Sequence, residues 1–138
     1  LTAMHWANAI EDLNLGMELK IIFMARKASS VSRSLKKRNN LSIAQGLSIW
    51  ESYTKKALTF LEETTYPRYY CSFEDLLKEP VQVCNSLFNF IEKDWDSQIV
   101  EKFIDPTIST SEQGKQFTYP SNINSLENKI YSLINEYT

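Results

Sequence analysis

The sequence predicts an α/β fold, a short parallel sheet flanked by helices. Two observations carry that expectation. Lys20 to Ala25 (KIIFMA) and Arg68 to Phe73 (RYYCSF) are short runs rich in apolar and aromatic residues, as buried strands require. Between them lies a long helical stripe, and strands joined through helices pair in parallel with a right-handed crossover.

The first strand runs straight into RKASSVSRSLKKR, Arg26 to Arg38. Ser29 or Ser30 can cap a helix there, with Val31 and Leu35 four apart on its apolar side. Asn39 and Asn40 break it. Ser42 followed by Gln45 is a capping-box pattern. Ile43, Leu47, Trp50, Tyr53, Thr54, Ala57, Leu58 and Leu61 then follow one helical stripe, which Pro67 forbids from continuing far. After the second strand, Glu74 and Asp75 suit the start of a helix. Pro80 suits a first turn, with Val81, Cys84, Leu87, Phe88 and Ile91 as the apolar side. A shorter helix is expected over Gln98 to Ile104. Thr107 to Asn122 reads as loop, and Leu126, Ile130, Leu133, Ile134 and Tyr137 as a final amphipathic helix. Two strands make a poor sheet alone. The expectation is therefore that further strands lie outside these 138 residues, which form one domain or the C-terminal part of one.

Composition narrows the function classes. Fifteen Lys and Arg against seventeen Asp and Glu give a formal charge of −2, with no global pull towards nucleic acid or anionic membrane. Cys71, Cys84 and a single histidine, His5, cannot build a disulfide scaffold or a structural zinc site. Both cysteines are expected buried and reduced, which makes a cytoplasmic setting the default. No apolar run approaches the ~20 residues of a membrane span. Leu1 to Ile10 lacks the basic start and apolar stretch of a signal peptide.

Against that acidic background, Arg26 to Arg38 holds Arg26, Lys27, Arg33, Lys36, Lys37 and Arg38 and no acid. A strand that feeds a helix N-terminus presents free N–H groups and the positive dipole end to an anion. Arg26, at the strand end, adds a planar fork suited to phosphate, and Ser34, eight residues on, a hydroxyl donor. The plainer alternative is a solvated basic face whose last residues complement the helix dipole.

KIIFMARKASSVSRSLKKR resembles the 3′-phosphate-binding segment of sulfotransferases that use 3′-phosphoadenosine 5′-phosphosulfate (PAPS). In that family an apolar strand ends in Arg and a Ser follows eight residues later, both on the 3′-phosphate. Arg26 and Ser34 hold those positions. CSFEDLLKEP is similar to the family's (Y/F)-E-D-L-x-x-x-P signature, with Phe73 at the aromatic beside the adenine. Trp50 to Tyr53 (WESY) resembles the W-x-x-Y of bacterial members. The resemblance covers roughly Lys20 to Ile104. It implies a P-loop-NTPase-like sulfotransferase fold and PAPS as sulfuryl donor. The implied acceptor is a small molecule or carbohydrate bearing a hydroxyl or amine, with no nucleic acid and no metal.

One part of the family pattern has no counterpart. No Gly-rich loop for the 5′-phosphosulfate precedes Arg26, and Gly46 and Gly114 sit in another context. Gly114-Lys115 only faintly echoes the family's late basic loop. The expectation is thus a C-terminal sulfotransferase portion, supplying the 3′-phosphate and adenine side of the donor site. The alternative is a truncated or degenerate module that binds a nucleotide or a protein without turnover.

Each candidate residue has a structural alternative. Arg26 can close the strand end or pair with Glu74 or Asp75. Ser34 and Phe73 can simply pack. His5 sits 21 residues before Arg26, near where many family members place a catalytic general base, but it can equally be a surface residue. Thr107, after Asp105-Pro106, falls where the family has a loop that touches adenine.

Overall fold

Strands β1 (Ile21–Ala25) and β2 (Arg68–Ser72) pair in parallel, Ile21 opposite Arg68 through Ala25 opposite Ser72. The computed structural model describes residues 2–14, 16–105 and 117–137. Among these, the two strands form the whole sheet. The helices are α1 (Thr2–Asp12), α2 (Ala28–Asn39), α3 (Ile43–Glu63), α4 (Phe73–Lys78), α5 (Pro80–Phe90), α6 (Ser97–Phe103) and α7 (Ser121–Tyr137). The α/β reading holds. The chain shows a mostly helical α/β architecture around a short parallel sheet.

Each sheet face has its own core. Ile21, Phe23, Ala25 and Tyr70 face α3 and α7 and meet Leu47, Trp50, Leu58, Leu61, Ile123, Ile130 and Ile134. Tyr69 and Cys71, on the opposite face, meet Val83, Leu87 and Phe90 of α5. At ~25 cal/mol per Å² of apolar area removed from water, such clusters supply most of the drive to fold.

Local signals placed most helix boundaries. Ser42 and Gln45 form the full reciprocal capping box of α3. Pro80 opens α5, where its missing N–H costs nothing. Asn40 ends α2 in the left-handed conformation, at φ 55°. Other expectations need correction. Phe73 does not end the second strand but begins α4. Ser72 caps that helix, its Oγ accepting from Asp75 N at 2.9 Å and donating to Asp75 Oδ2 at 2.5 Å. Neither Ser29 nor Ser30 caps α2. Both lie buried inside it, and the N-cap position is Lys27. Helix α7 starts at Ser121, inside the stretch read as loop, and α1 had no counterpart in the sequence reading.

Helices α2 and α3 cross at Gly46. A Cβ there would lie 2.7 Å from Ser32 Cα, so only glycine allows this approach. Gly46 serves packing rather than phosphate. Both cysteines are free and buried, as expected. Burial pushes the Cys71 thiol up to about 11, with the Asp75 charge adding to the effect.

Candidate functional site

Arg26 is the first residue beyond β1, and three parts of the chain meet on it. Trp50 Nε1, on α3, donates to its carbonyl at 2.9 Å. Its guanidinium carbon lies 4.6 Å from the centre of the Phe73 ring, in cation–π contact. Its Nε is buried and has no hydrogen-bond partner among the described residues. A buried charged donor left without an acceptor is costly, so it marks where an acceptor is wanted. Glu74 does not supply one. It accepts from Lys27 N at 3.1 Å and from the Tyr131 hydroxyl at 3.0 Å.

The start of α2 differs from an open anion cradle. Three successive amides already have partners. Lys27 N donates to Glu74 Oε1, Ala28 N to Glu127 Oε1 at 2.8 Å, and Ser29 N to the Tyr119 hydroxyl at 3.2 Å. Tyr119 donates in turn to Glu127 at 3.3 Å. Two carboxylates thus satisfy the free donors and face the positive dipole end. This explains why no serine is needed as a cap. Burial raises the Tyr131 hydroxyl far above the usual phenol range, with the Glu74 charge adding to it. Burial raises Tyr119 as well.

Farther along α2, Ser30, Arg33 and Ser34 share one helix face by their spacing. Ser34 is half-buried. Arg33 repeats the feature of Arg26, with a buried Nε that lacks a partner and a guanidinium 5.9 Å from the Phe117 ring. Lys36, Lys37 and Arg38 are exposed in the last turn, where they complement the dipole. The basic run therefore divides. Its first half turns two guanidiniums inward, and its last three residues are a solvated end.

Arg26 and Phe73 are thus brought together, with Ser34 on the adjoining helix. His5 is not. It is exposed on α1, whose Met4 adjoins Lys55 to Glu63 in the second half of α3, whereas Trp50, in the first half, contacts Arg26. Nine residues of α-helix separate Trp50 from Thr59, roughly 14 Å at 1.5 Å per residue. Thr107 and Gly114-Lys115 lie outside the described residues.

No family model, curated protein or solved structure matches this chain. The site's chemistry must speak for itself. No helix among the described residues is long and apolar enough to cross a membrane. Among the same residues, no three His, Cys, Asp or Glu side chains gather as metal ligands do.

Sequence reasoning missed Tyr119, Glu127 and Tyr131. Their contacts with the start of α2 and with Glu74 span 57 to 99 residues. Nothing local marks them, since each also reads as an ordinary residue of a loop end or an amphipathic helix. Arg33 was visible only as one member of the basic run.

Proposed function

We propose that this chain is the 3′-phosphate and adenine side of a PAPS-dependent sulfotransferase site. The reaction transfers a sulfuryl group to a hydroxyl or amine of a small-molecule or carbohydrate acceptor and releases adenosine 3′,5′-bisphosphate. One observation carries the reading. The two segments that resemble the family's donor-binding motifs, 47 residues apart from Arg26 to Phe73, meet in space, the Arg26 guanidinium lying 4.6 Å from the centre of the Phe73 ring. A phosphate is the partner a guanidinium fork suits, and Phe73 offers a flat apolar face beside it. Arg26 would hold the phosphate, Ser34 would add a hydroxyl, and Phe73 would flank the base. Bound PAPS supplies the activated sulfuryl group. This chain's residues bind and orient the donor's nucleotide end.

A second reading has its own support. The α2 amides that would cradle an anion are taken by Glu74, Glu127 and Tyr119. That arrangement suits a non-catalytic module that binds a nucleotide or a protein.

Calorimetric titration with adenosine 3′,5′-bisphosphate tests the site. Wild-type chain should bind, and Arg26→Ala should bind about 10- to 150-fold more weakly, the range for losing a charged hydrogen bond of ~1.5–3 kcal/mol. Equal affinities, or no binding by wild type, would overturn the assignment. Binding without sulfuryl transfer, after a Gly-rich loop segment is supplied, would favour the second reading.

A further inference from the structure

The two strand ends carry matched residues. Ala25 and Ser72 are the last register partners of β1 and β2. Arg26 and Phe73 come next, with the guanidinium 4.6 Å from the ring centre. Lys27 and Glu74 follow, and Glu74 Oε1 accepts from Lys27 N at 3.1 Å. Glu74 therefore adjoins Phe73 in sequence and bonds the neighbour of Arg26. An arginine beside a free carboxylate oxygen would pair with it through its planar fork. Yet among the described residues no ion pair joins Arg26 to Glu74.

Tyr131 accounts for the difference. Its hydroxyl donates to Glu74 Oε2 at 3.0 Å, so each carboxylate oxygen has its own donor. The Tyr131 ring packs against the core of the sheet, α3 and α7, which fixes where that hydroxyl stands. One turn earlier on α7, Glu127 accepts from Ala28 N at 2.8 Å. Spaced four apart, the two side chains share a face of α7 and fasten both strand ends. Burial, with the Glu74 charge adding to it, raises the Tyr131 hydroxyl far above the usual phenol range, so it stays a donor.

We propose that Tyr131 is a positioning residue of the donor site: it holds Glu74 away from Arg26, so the guanidinium rests on Phe73 with its charge left for an anion. The assignment rests on the donor-site reading for its ligand. Tyr131 lies beyond Lys20 to Ile104, the stretch that carries the family resemblance, so no motif marks it. Without its hydroxyl, Glu74 Oε2 loses its donor and turns to the nearest cation, the Arg26 fork. That pairing draws the guanidinium off the ring and competes with a phosphate for the same N–H groups.

The test compares Tyr131→Phe, Glu74→Gln and the double variant, each in the whole chain. Phenylalanine keeps the packing and removes only the donor; glutamine keeps the shape and removes the charge. In nuclear magnetic resonance, the Arg26 Nε proton of wild type should lie upfield of an ordinary arginine, shielded by the Phe73 ring. Tyr131→Phe should abolish that shift, and adding Glu74→Gln should restore it. Calorimetry with adenosine 3′,5′-bisphosphate should follow the same order. Tyr131→Phe should bind about 3- to 30-fold more weakly than wild type, and the double variant within about twofold of it. A hydroxyl that serves only the fold would not be rescued by a second substitution. A shift that survives Tyr131→Phe, or one that Glu74→Gln fails to restore, would overturn the proposal. So would equal nucleotide affinities in wild type and Tyr131→Phe. Wild type that binds no nucleotide would overturn the donor-site reading instead, and the Arg26 shift would still decide the role of Tyr131.

Discussion

Arg26 is held by its backbone and its side chain separately. Trp50 bonds the carbonyl, and the guanidinium lies against the Phe73 ring. Neither contact satisfies the buried Nε. Beside it, Glu127 matters to stability in a way its sequence position hides. Glu127→Ala would leave the N–H of the buried Ala28 without its acceptor. Unfolding in urea should show a loss of about 1–3 kcal/mol, the cost of an orphaned donor. A change below ~0.5 kcal/mol would mean that water replaces the carboxylate. Cys71 carries a pH prediction. Its folded thiol is raised from about 9 to about 11. The folded state thus keeps a proton that the unfolded chain gives up. The associated stability is complete below pH 9 and is lost as pH rises through 11. The stability difference between wild type and Cys71→Ala should shrink across that window. A constant difference would show that the thiol titrates normally.

At the scale of elements, what the sequence revealed tracks how local the cause is. The Ser42–Gln45 box and Pro80 act within one helical turn, so their helix starts were readable. The start of α2 was not, because its caps come from α4, α7 and the residue Tyr119 before α7. Phe73 was misplaced because Ser72 can either continue a strand or cap a helix, and its bonds with Asp75 select the cap. Gly46 sets the closeness of α2 and α3. Gly46→Ala would gain up to ~1 kcal/mol of helix propensity, but its methyl would press on Ser32 Cα, a backbone atom. Overpacking of this kind costs about 1–3 kcal/mol. The net expectation is a loss of about 1–2 kcal/mol in chemical denaturation. A gain in stability would show that α2 can shift away freely.

At the scale of the molecule, one face of the sheet holds a shared core of β1, β2, α3 and α7, and among the described residues α5 packs on the other face over β2. Arg26 and Phe73 lie just beyond the C-terminal ends of β1 and β2. The sequence by itself determined the strands, most of the helices and the candidates Arg26, Ser34 and Phe73. The elements follow from periodicity and capping, which act over a few residues, and Phe73 became a candidate only through the family resemblance. Only the tertiary structure decided which candidates meet. It joined Arg26 to Phe73, set His5 apart, and filled the α2 amides with Glu74, Glu127 and Tyr119. Contacts that close loops of tens of residues depend on how helices pack around the sheet, and no local pattern encodes that packing.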